Sequence, residues 1–483
     1  MFSQIIQKEP AGYKRIFQNT PVFQHFKYFI KFMSSFCINI VQNNFFMVNY
    51  MEWKHCTGLA ALFSSIRGDH MKTVGIIAEY NPFHNGHAYQ IAKAKEMTGA
   101  DYCIIVMCGD FVQRGAPALI EKYTRAETAL RNGADLVLEL PVYYALGSAE
   151  YFASGAVALF DKLGVTDALC FGSECGDINI LSEFAQRLLV EDPLFKEVLD
   201  RYLRMGYSYP TARNAALHAS APHLTPYMHI LSTANNILGI EYCKALSRRG
   251  SCIKPYTTHR AGSSYHDASL LNTYCSALAV REAIDNSGTL TDVRDLMPAN
   301  AYDLLTEQFG KTFPVRADDF SLPLHYQLLT EQSSGYTSHP DIDHDLSDRI
   351  TNLLPSYRSF TSFSEQLKTK NRTYTRIARS LMHILLQIKK DDLTAFQAED
   401  YIYYARILGF RIDAAPLLTV IKAQSSIPLL SRLADADSQL SDNGRKMLKK
   451  DIYASQIYYS LIKHKYPDTP FHDNEYTRPI LKI

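Results

Sequence analysis

No CxxC pair occurs in this chain, although it holds nine cysteines. They are scattered (Cys37, Cys56, Cys103, Cys108, Cys170, Cys175, Cys243, Cys252, Cys275), and three of them, Cys103, Cys108 and Cys170, sit inside apolar, strand-like runs. A disulfide framework or a structural zinc site needs closely spaced pairs, so this usage fits reduced thiols in a cytoplasmic enzyme. Long hydrophobic runs are also missing. The longest apolar patch, residues 32–41, is broken by serines and an asparagine. It is too short to cross a bilayer, which takes about 20 residues, so no membrane partner is expected. Net charge is nearly absent too: 50 Lys+Arg stand against 49 Asp+Glu, a balance of +1. Bulk electrostatics therefore announces no nucleic acid; DNA is not expected, and any basic surface must be local. What remains is an ordinary globular composition, 47% apolar and 20% charged, in 483 residues. That length suits two or three domains.

Residues 1–70 differ from the rest. They carry seven Lys/Arg against three acids, the only tryptophan (Trp53), many phenylalanines and no sustained period. A basic, acid-poor leader reads either as an organellar transit peptide or as over-extended translation upstream of Met71. The second reading is preferred. The segment is expected to lie outside the fold, disordered or not part of the native product. Without it the chain has 43 basic and 46 acidic residues, a net charge of −3.

The densest chemistry lies in Thr73–Gln90, TVGIIAEYNPFHNGHAYQ. Val74 to Ala78 is short and apolar enough for a buried strand. Asn81-Pro82 ends it, because proline cannot continue a hydrogen-bonded ladder. From His84 onward the spacing predicts a helix. A strand that feeds a helix through a tight turn leaves the first helical amides unpaired, a ready phosphate site. His84 and His87 fall on one side of the first turn, where both imidazoles can donate to phosphate oxygens. Gly86 between them lets a base or ribose approach the backbone.

The alternation continues. Strands are predicted at Tyr102–Gly109, Leu136–Leu140 and Ala168–Phe171, and helices at Lys122–Asn132 and Ser148–Leu163, each followed by glycine. Short links between them argue for βαβ units and one parallel sheet. Ligands of such sheets sit beyond the carboxyl ends of the strands. Those ends carry NPFHNGH, CGDFVQRG, ELP and FGSE. In the loop after the second strand, Gln113 and Arg114 are candidates for the acyl or acceptor end of a reaction, and Asp110 beside them is a candidate base. Helices dominate from Ile178 to Leu217. Asn235-Asn236-Ile237-Leu238-Gly239 reads as another helix start with paired amides. A strand-like Cys252–Tyr256 leads to Thr257-Thr258-His259-Arg260, then Tyr265-His266-Asp267, then Ser276-Ala277-Leu278-Ala279-Val280-Arg281.

From Phe363 the pattern reads as nearly all helix. Residues 368–390 hold seven basic residues and no acid, among them Lys370, Arg372, Arg376 and Arg379. Lys446 and Lys450 belong to a second run. Positive charge concentrated on helices of an otherwise acidic chain suggests a face for an RNA backbone. Solvated helix faces without a partner are the alternative.

Pro-Phe-His-x-Gly-His after a first strand resembles the HxGH signature of the nucleotidylyltransferase superfamily. The wider series IAEYNPFHNGH, FVQRG, ELP, FGSE, NNILG, KPYTT-x-R, YHD, SALAVR and EYTRPI resembles, in order from Met71 to Ile483, the tRNA(Met) cytidine acetate ligase family. The resemblance implies an α/β fold: a Rossmann-like nucleotidylyltransferase parallel sheet over 71–310, with a C-terminal, mostly α-helical tRNA-binding domain over 311–483. It implies an ATP-dependent ligase that forms acetyl-adenylate and pyrophosphate from acetate, then acetylates N4 of the wobble cytidine (position 34) of elongator tRNA(Met). His84, His87, Ser276 and Arg281 would be catalytic, although Leu278 stands where a second hydroxyl is expected. ATP contacts would involve Ile77, Ala78, Glu79, Tyr80, Asn81, Pro82, Phe83, His84, Asn85, Gly86, His87, Ala88, Tyr89 and Gln90. Gly172, Asn235 and Arg260 would join them, Arg260 otherwise serving as a structural ion pair. Lys370, Arg372, Arg376, Arg379, Lys446 and Lys450 would meet tRNA. Magnesium is expected to arrive with ATP, since no dedicated metal cage is visible in the sequence. The alternative is a small-molecule adenylyltransferase releasing pyrophosphate; such enzymes are far shorter and lack the basic helical tail. A non-catalytic RNA-binding protein is disfavoured by the intact His84/His87 pair and Arg281.

Overall fold

The computed structural model describes residues 71–190, 192–260 and 275–483. The readings of residues 1–70 and of Tyr265-His266-Asp267 lie outside them.

The first strand, β1 (Thr73–Ala78), is the axis of the sheet. It runs parallel to β2 (Tyr102–Cys108) on one side and to β6 (Ala168–Ser173) on the other. Between β2 and β6 come a small antiparallel pair, β3 (Phe111–Val112) with β4 (Ala116–Pro117), and β5 (Leu136–Leu140), which pairs with β2. The strand β7 (Lys254–His259) pairs with β6. The order β5-β2-β1-β6-β7 means that the chain works outward from β1 and then returns to its other side. Connections diverge at that reversal and leave a crevice over the carboxyl ends of β1 and β6.

Both faces of the sheet are covered. In β2, Cys103, Ile105 and Met107 join one apolar cluster with Val74 and Ile76, while Ile104, Val106 and Cys108 join a second. That is why the strand is a continuous apolar run without alternation. The predicted helices form close to their expected limits: α1 (Asn85–Thr98), α2 (Lys122–Arg131) and α3 (Ala149–Leu163). Gly99 and Gly164 take the left-handed conformation that closes α1 and α3. Further along come α4 (Ala234–Arg249), α5 (Ala277–Ser287), α6 (Tyr374–Leu385) and α7 (Asp442–Lys465).

The reading of the segment from Phe363 as nearly all helix needs one amendment. A buried strand, β8 (Ala405–Phe410), pairs antiparallel with β5, and β9 (Leu429–Leu430) and β10 (Leu481–Lys482) pair with β8. A six-residue apolar run between helices cannot be told from a helical turn by period alone. The C-terminal segment thus shares the sheet, and Met71–Ile483 is one compact unit. Among the described residues no helix is long and apolar enough to cross a membrane.

A sealed ionic cluster ties that segment down. Lys122 Nζ lies 2.9 Å from a Glu139 carboxylate oxygen, 3.3 Å from Glu475 and 2.8 Å from Ser455 Oγ. Arg406 pairs with Glu139 at 2.9 Å and also with Glu475. Ser455 donates to Asp110 Oδ2 at 2.8 Å, and Asp110 Oδ1 accepts from the Lys122 amide. Glu139 of the ELP motif and Asp110 of CGDFVQRG are therefore not ligand groups at the strand ends. Both are buried beneath the mouth and satisfied by nearby Lys122 together with Arg406 and Ser455 from far along the chain. Asp110 faces Lys122 and Ser455, so the base suggested there is already engaged.

Candidate active site

The turn after β1 is built as expected, and more tightly. Tyr80 has a left-handed backbone (φ 50°), and His84 is the N-cap of α1. The Gly86 amide donates to His84 Nδ1 at 3.1 Å, and the His84 amide donates to His87 Nδ1 at 3.2 Å. Each imidazole thus has Nδ1 occupied as an acceptor, which leaves its proton on Nε2. The rings stack with centroids 3.7 Å apart. A Cβ on residue 86 would sit 2.9 Å from His84 Cε1, so Gly86 makes room for the histidine ring.

Burial, followed by the guanidiniums of Arg260 and Arg281, lowers the His84 pKa to about 3. Burial also depresses His87 well below the usual histidine range, with His84 and Arg260 adding to it. Both rings are neutral at physiological pH, and each offers one Nε2–H donor.

They open onto a cavity of about 170 Å³ above β1 and β6, at the point where strand order reverses. Thirteen of the residues expected for ATP or catalysis line it: Ile77, Ala78, Glu79, Tyr80, Asn81, His84, His87, Gln90, Gly172, Asn235, Arg260, Ser276 and Arg281. Gly86 and Tyr89 face an adjoining smaller recess. Phe83 and Ala88 instead pack into the apolar cluster, Pro82 is buried in the turn, and Asn85 donates to the Asp295 carbonyl at 2.9 Å. Arg281 donates to the Asn81 carbonyl at 2.6 Å and so comes to rest beside the histidines. Ser276 caps α5, accepting from the Ala279 amide at 3.1 Å, so that helix directs its positive end into the cavity. Gly172 sits where a Cβ would be 3.2 Å from Arg260 Cγ, which lets that side chain lie across β6.

Asn235 reaches the cavity differently from expectation. The start of α4 is capped by Glu174, which accepts from the Asn235 and Asn236 amides and from the Asn235 carboxamide at 2.7 Å. Those amides are spent on Glu174 of FGSE. Gln113 and Arg114 do line the cavity; the Gln113 amide donates to Glu79 Oε1 at 3.0 Å.

Two features carried no local signal. Phe152, Phe171, Leu238 and Tyr242 form an apolar wall from three separate elements. Arg125, buried in α2, donates to the carbonyls of Glu79 (2.6 Å) and Cys108 (3.1 Å), and to that of Gly109, bracing the strand ends beneath the mouth. The wall carries three guanidiniums (Arg114, Arg260, Arg281) against one carboxylate (Glu79), plus a helix N-terminus and two imidazole donors. Such a surface takes a polyanion. Among the described residues no three His, Cys, Asp or Glu converge as a metal cage, so a divalent cation would be held chiefly by phosphate oxygens and water.

The basic run is less bare than its sequence, and only part of it is helix: Lys370 and Arg372 lie in the turn that precedes α6. Arg372 pairs with Asp343 (2.9 Å) and Asp345 (2.5 Å), and Arg379 with Asp341 (3.1 Å). Arg376 donates to the Asp341 carbonyl, and Lys450 donates to the carbonyls of Leu386 and Gln387. Lys446 pairs with Asp392 but stays exposed, as does Lys370.

Comparison with known proteins agrees with this arrangement. Residues 71–473 match the family described as HIGH Nucleotidyl Transferase. The chain is 39% identical to the tRNA(Met) cytidine acetate ligase of Acetivibrio thermocellus, over 82% of this chain and 96% of that one. It is 37% identical to the ligase of Clostridium novyi, over 83% and 98%. The crystal structure of Thermotoga maritima TmcAL (apo) superposes with a TM-score of 0.80 at 29% identity, covering 86% of this chain and 100% of that one. The same protein bound with alpha-thio ATP gives 0.78 at 29% identity, over 85% and 100%. This chain belongs to the tRNA(Met) cytidine acetate ligase family.

Proposed function

We propose that this protein activates acetate with ATP and transfers the acetyl group to N4 of the wobble cytidine, position 34, of elongator tRNA(Met), in the cytoplasm. One observation carries the reading: two neutral imidazoles, each with Nδ1 held by a backbone amide, stand beside Arg260 and Arg281 at the reversal point of the sheet.

The chemistry follows from that wall. Acetate is a weak nucleophile, and its attack on the α-phosphorus of ATP builds negative charge on the equatorial oxygens and on departing pyrophosphate. The Nε2–H groups of His84 and His87, the first amides of α5, the Ser276 hydroxyl and Arg281 are arranged to meet that charge, and Arg260 to pair with phosphate or the adenylate. Neutral imidazoles suit this role because their protonation does not vary near neutrality. Magnesium would travel with the phosphates, adding charge neutralisation when bound. The resulting acetyl-adenylate then meets the cytidine amine.

The chemistry falls on residues 71–310. The tRNA face falls on the segment after 311, with Lys370, Arg376 and Lys446 at the surface and Arg372, Arg379 and Lys450 bracing the elements that carry them. Mass analysis of tRNA nucleosides after incubation with ATP, acetate and elongator tRNA(Met) tests the proposal: N4-acetylcytidine is expected, and its absence rejects it. Pyrophosphate exchange into ATP separates the rival adenylyltransferase. Strict dependence on acetate supports ligation, and indifference to acetate rejects it.

A further inference from the structure

Beyond the nucleotide cavity lies a second one, of about 350 Å³, within the range of small-ligand sites. The two share Glu79, Asn81, Arg114 and Arg281 as a common wall. Its floor is apolar, from Val112, Pro117 and Leu119 on and after the β3–β4 pair, and Val315. Its far rim comes from the C-terminal segment: Arg316, bonded to Asp285 at 2.7 Å, and Asp318, which accepts from the Thr361 amide at 2.7 Å. Glu79 is the one carboxylate in the wall of the nucleotide cavity, and it stands at the junction of the two. Its Oε1 is fixed by the Gln113 amide, and among the described residues Oε2 takes no hydrogen bond. Glu79 is therefore aimed by the hairpin and one oxygen remains for a substrate.

We propose that this second cavity receives the acceptor cytosine and that Glu79 is the residue that accepts its N4 proton. The inference rests on the ligase reading above. A cytosine edge presents an N4–H donor followed by the N3 and O2 acceptors, which a carboxylate beside the Arg114 guanidinium complements. Uracil presents an acceptor at position 4 and is repelled by the same carboxylate. The exocyclic amine is a poor nucleophile because its lone pair is delocalised into the ring, so it needs proton removal as it attacks. In the step, the N4–C bond forms at the acetyl carbonyl and one N4 proton passes to Glu79. The bond from that carbonyl carbon to the phosphate oxygen breaks, and AMP leaves with the electron pair.

The test compares wild type, Glu79→Gln and Glu79→Asp in two assays. These are acetate-dependent pyrophosphate exchange, and single-turnover transfer from enzyme-formed acetyl-adenylate to elongator tRNA(Met). Glutamine keeps the bond to the Gln113 amide and removes the proton acceptor. Transfer is expected to fall about 100-fold or more relative to exchange, and to recover in part with aspartate. A tRNA carrying uridine at position 34 is expected to compete better against the glutamine variant than against wild type. Transfer that keeps pace with exchange, or exchange that collapses as far as transfer, overturns the assignment; the second result would place Glu79 in nucleotide or metal binding. Wild type that makes N4-acetylcytidine while Glu79→Gln makes it equally fast breaks only this inference. Wild type that makes none breaks the ligase reading, and this inference with it.

Discussion

The cavity mouth and the sealed cluster beneath it are built from the same kinds of side chain, yet they do opposite things. At the mouth, Arg114, Arg260 and Arg281 outnumber Glu79, and the histidines are held neutral with their donors turned outward. Below, Lys122 and Arg406 are enclosed by Glu139, Glu475 and Asp110, with Ser455 and Tyr459 adding hydrogen bonds. An excess of one sign beside solvent is a binding site, because a ligand can complete it. A set out of water in which every charge already meets an oppositely charged protein partner is a fastener, because no ligand is needed to complete it. Residue type does not separate the two; access to solvent does.

The widest gap between the regions should appear on removing one partner from the sealed set. Lys122→Met leaves Arg406 alone to face Glu139 and Glu475 and is expected to cost about 3–5 kcal/mol in urea denaturation. Adding Glu139→Gln should restore part of it, and an unchanged unfolding midpoint in the single variant would dissolve the contrast. At the mouth, Arg281→Ala should act on rate: acetate-dependent pyrophosphate exchange is expected to drop about 100-fold, or about 3 kcal/mol, with a smaller thermal shift than Lys122→Met.

A subtler probe is Asp451, which accepts from the Val142 amide at 2.7 Å next to this cluster. Burial, reinforced by Glu139, pushes its carboxyl up to about 7. The unfolded value is about 4, so the folded state holds the proton more tightly. That contribution is complete below pH of about 4 and is lost as pH rises through 7. Asp451→Asn should therefore gain thermal stability relative to wild type as pH is raised across this window; a constant difference would mean that the group is already ionised.

The smallest effect is expected on the basic helices. Lys370→Glu should weaken tRNA binding modestly and reduce the salt slope by about 1, whereas Arg372→Glu should mainly lower stability by facing Asp343 and Asp345. Equal binding losses from both, without a stability difference, would contradict the division between exposed and bracing cations.

Legibility in the sequence followed the range of the interactions. His84 and His87 were readable because the bonds that orient them close within three residues. Gly172, Arg260 and Arg281 were readable because a strand end or a helix start places each at the mouth. The aromatic wall was not, since Phe152, Phe171 and Tyr242 meet only after two crossovers. The Arg372–Arg379 run looked uniformly basic because its acids, Asp341, Asp343 and Asp345, lie about 30 residues upstream. β8 was hidden by its helical flanks, and its partner β5 is far away in the chain.

By itself, the sequence determined a strand, a turn and a capped helix, and with them the donors that line the cavity. Tertiary structure alone decided which ionisable groups would stay open and which would be sealed, as with Glu79 in the mouth and Glu139 beneath it. The physical reason is that desolvation and charge pairing depend on neighbours brought in by the fold, and a chain cannot specify those neighbours from adjacent residues.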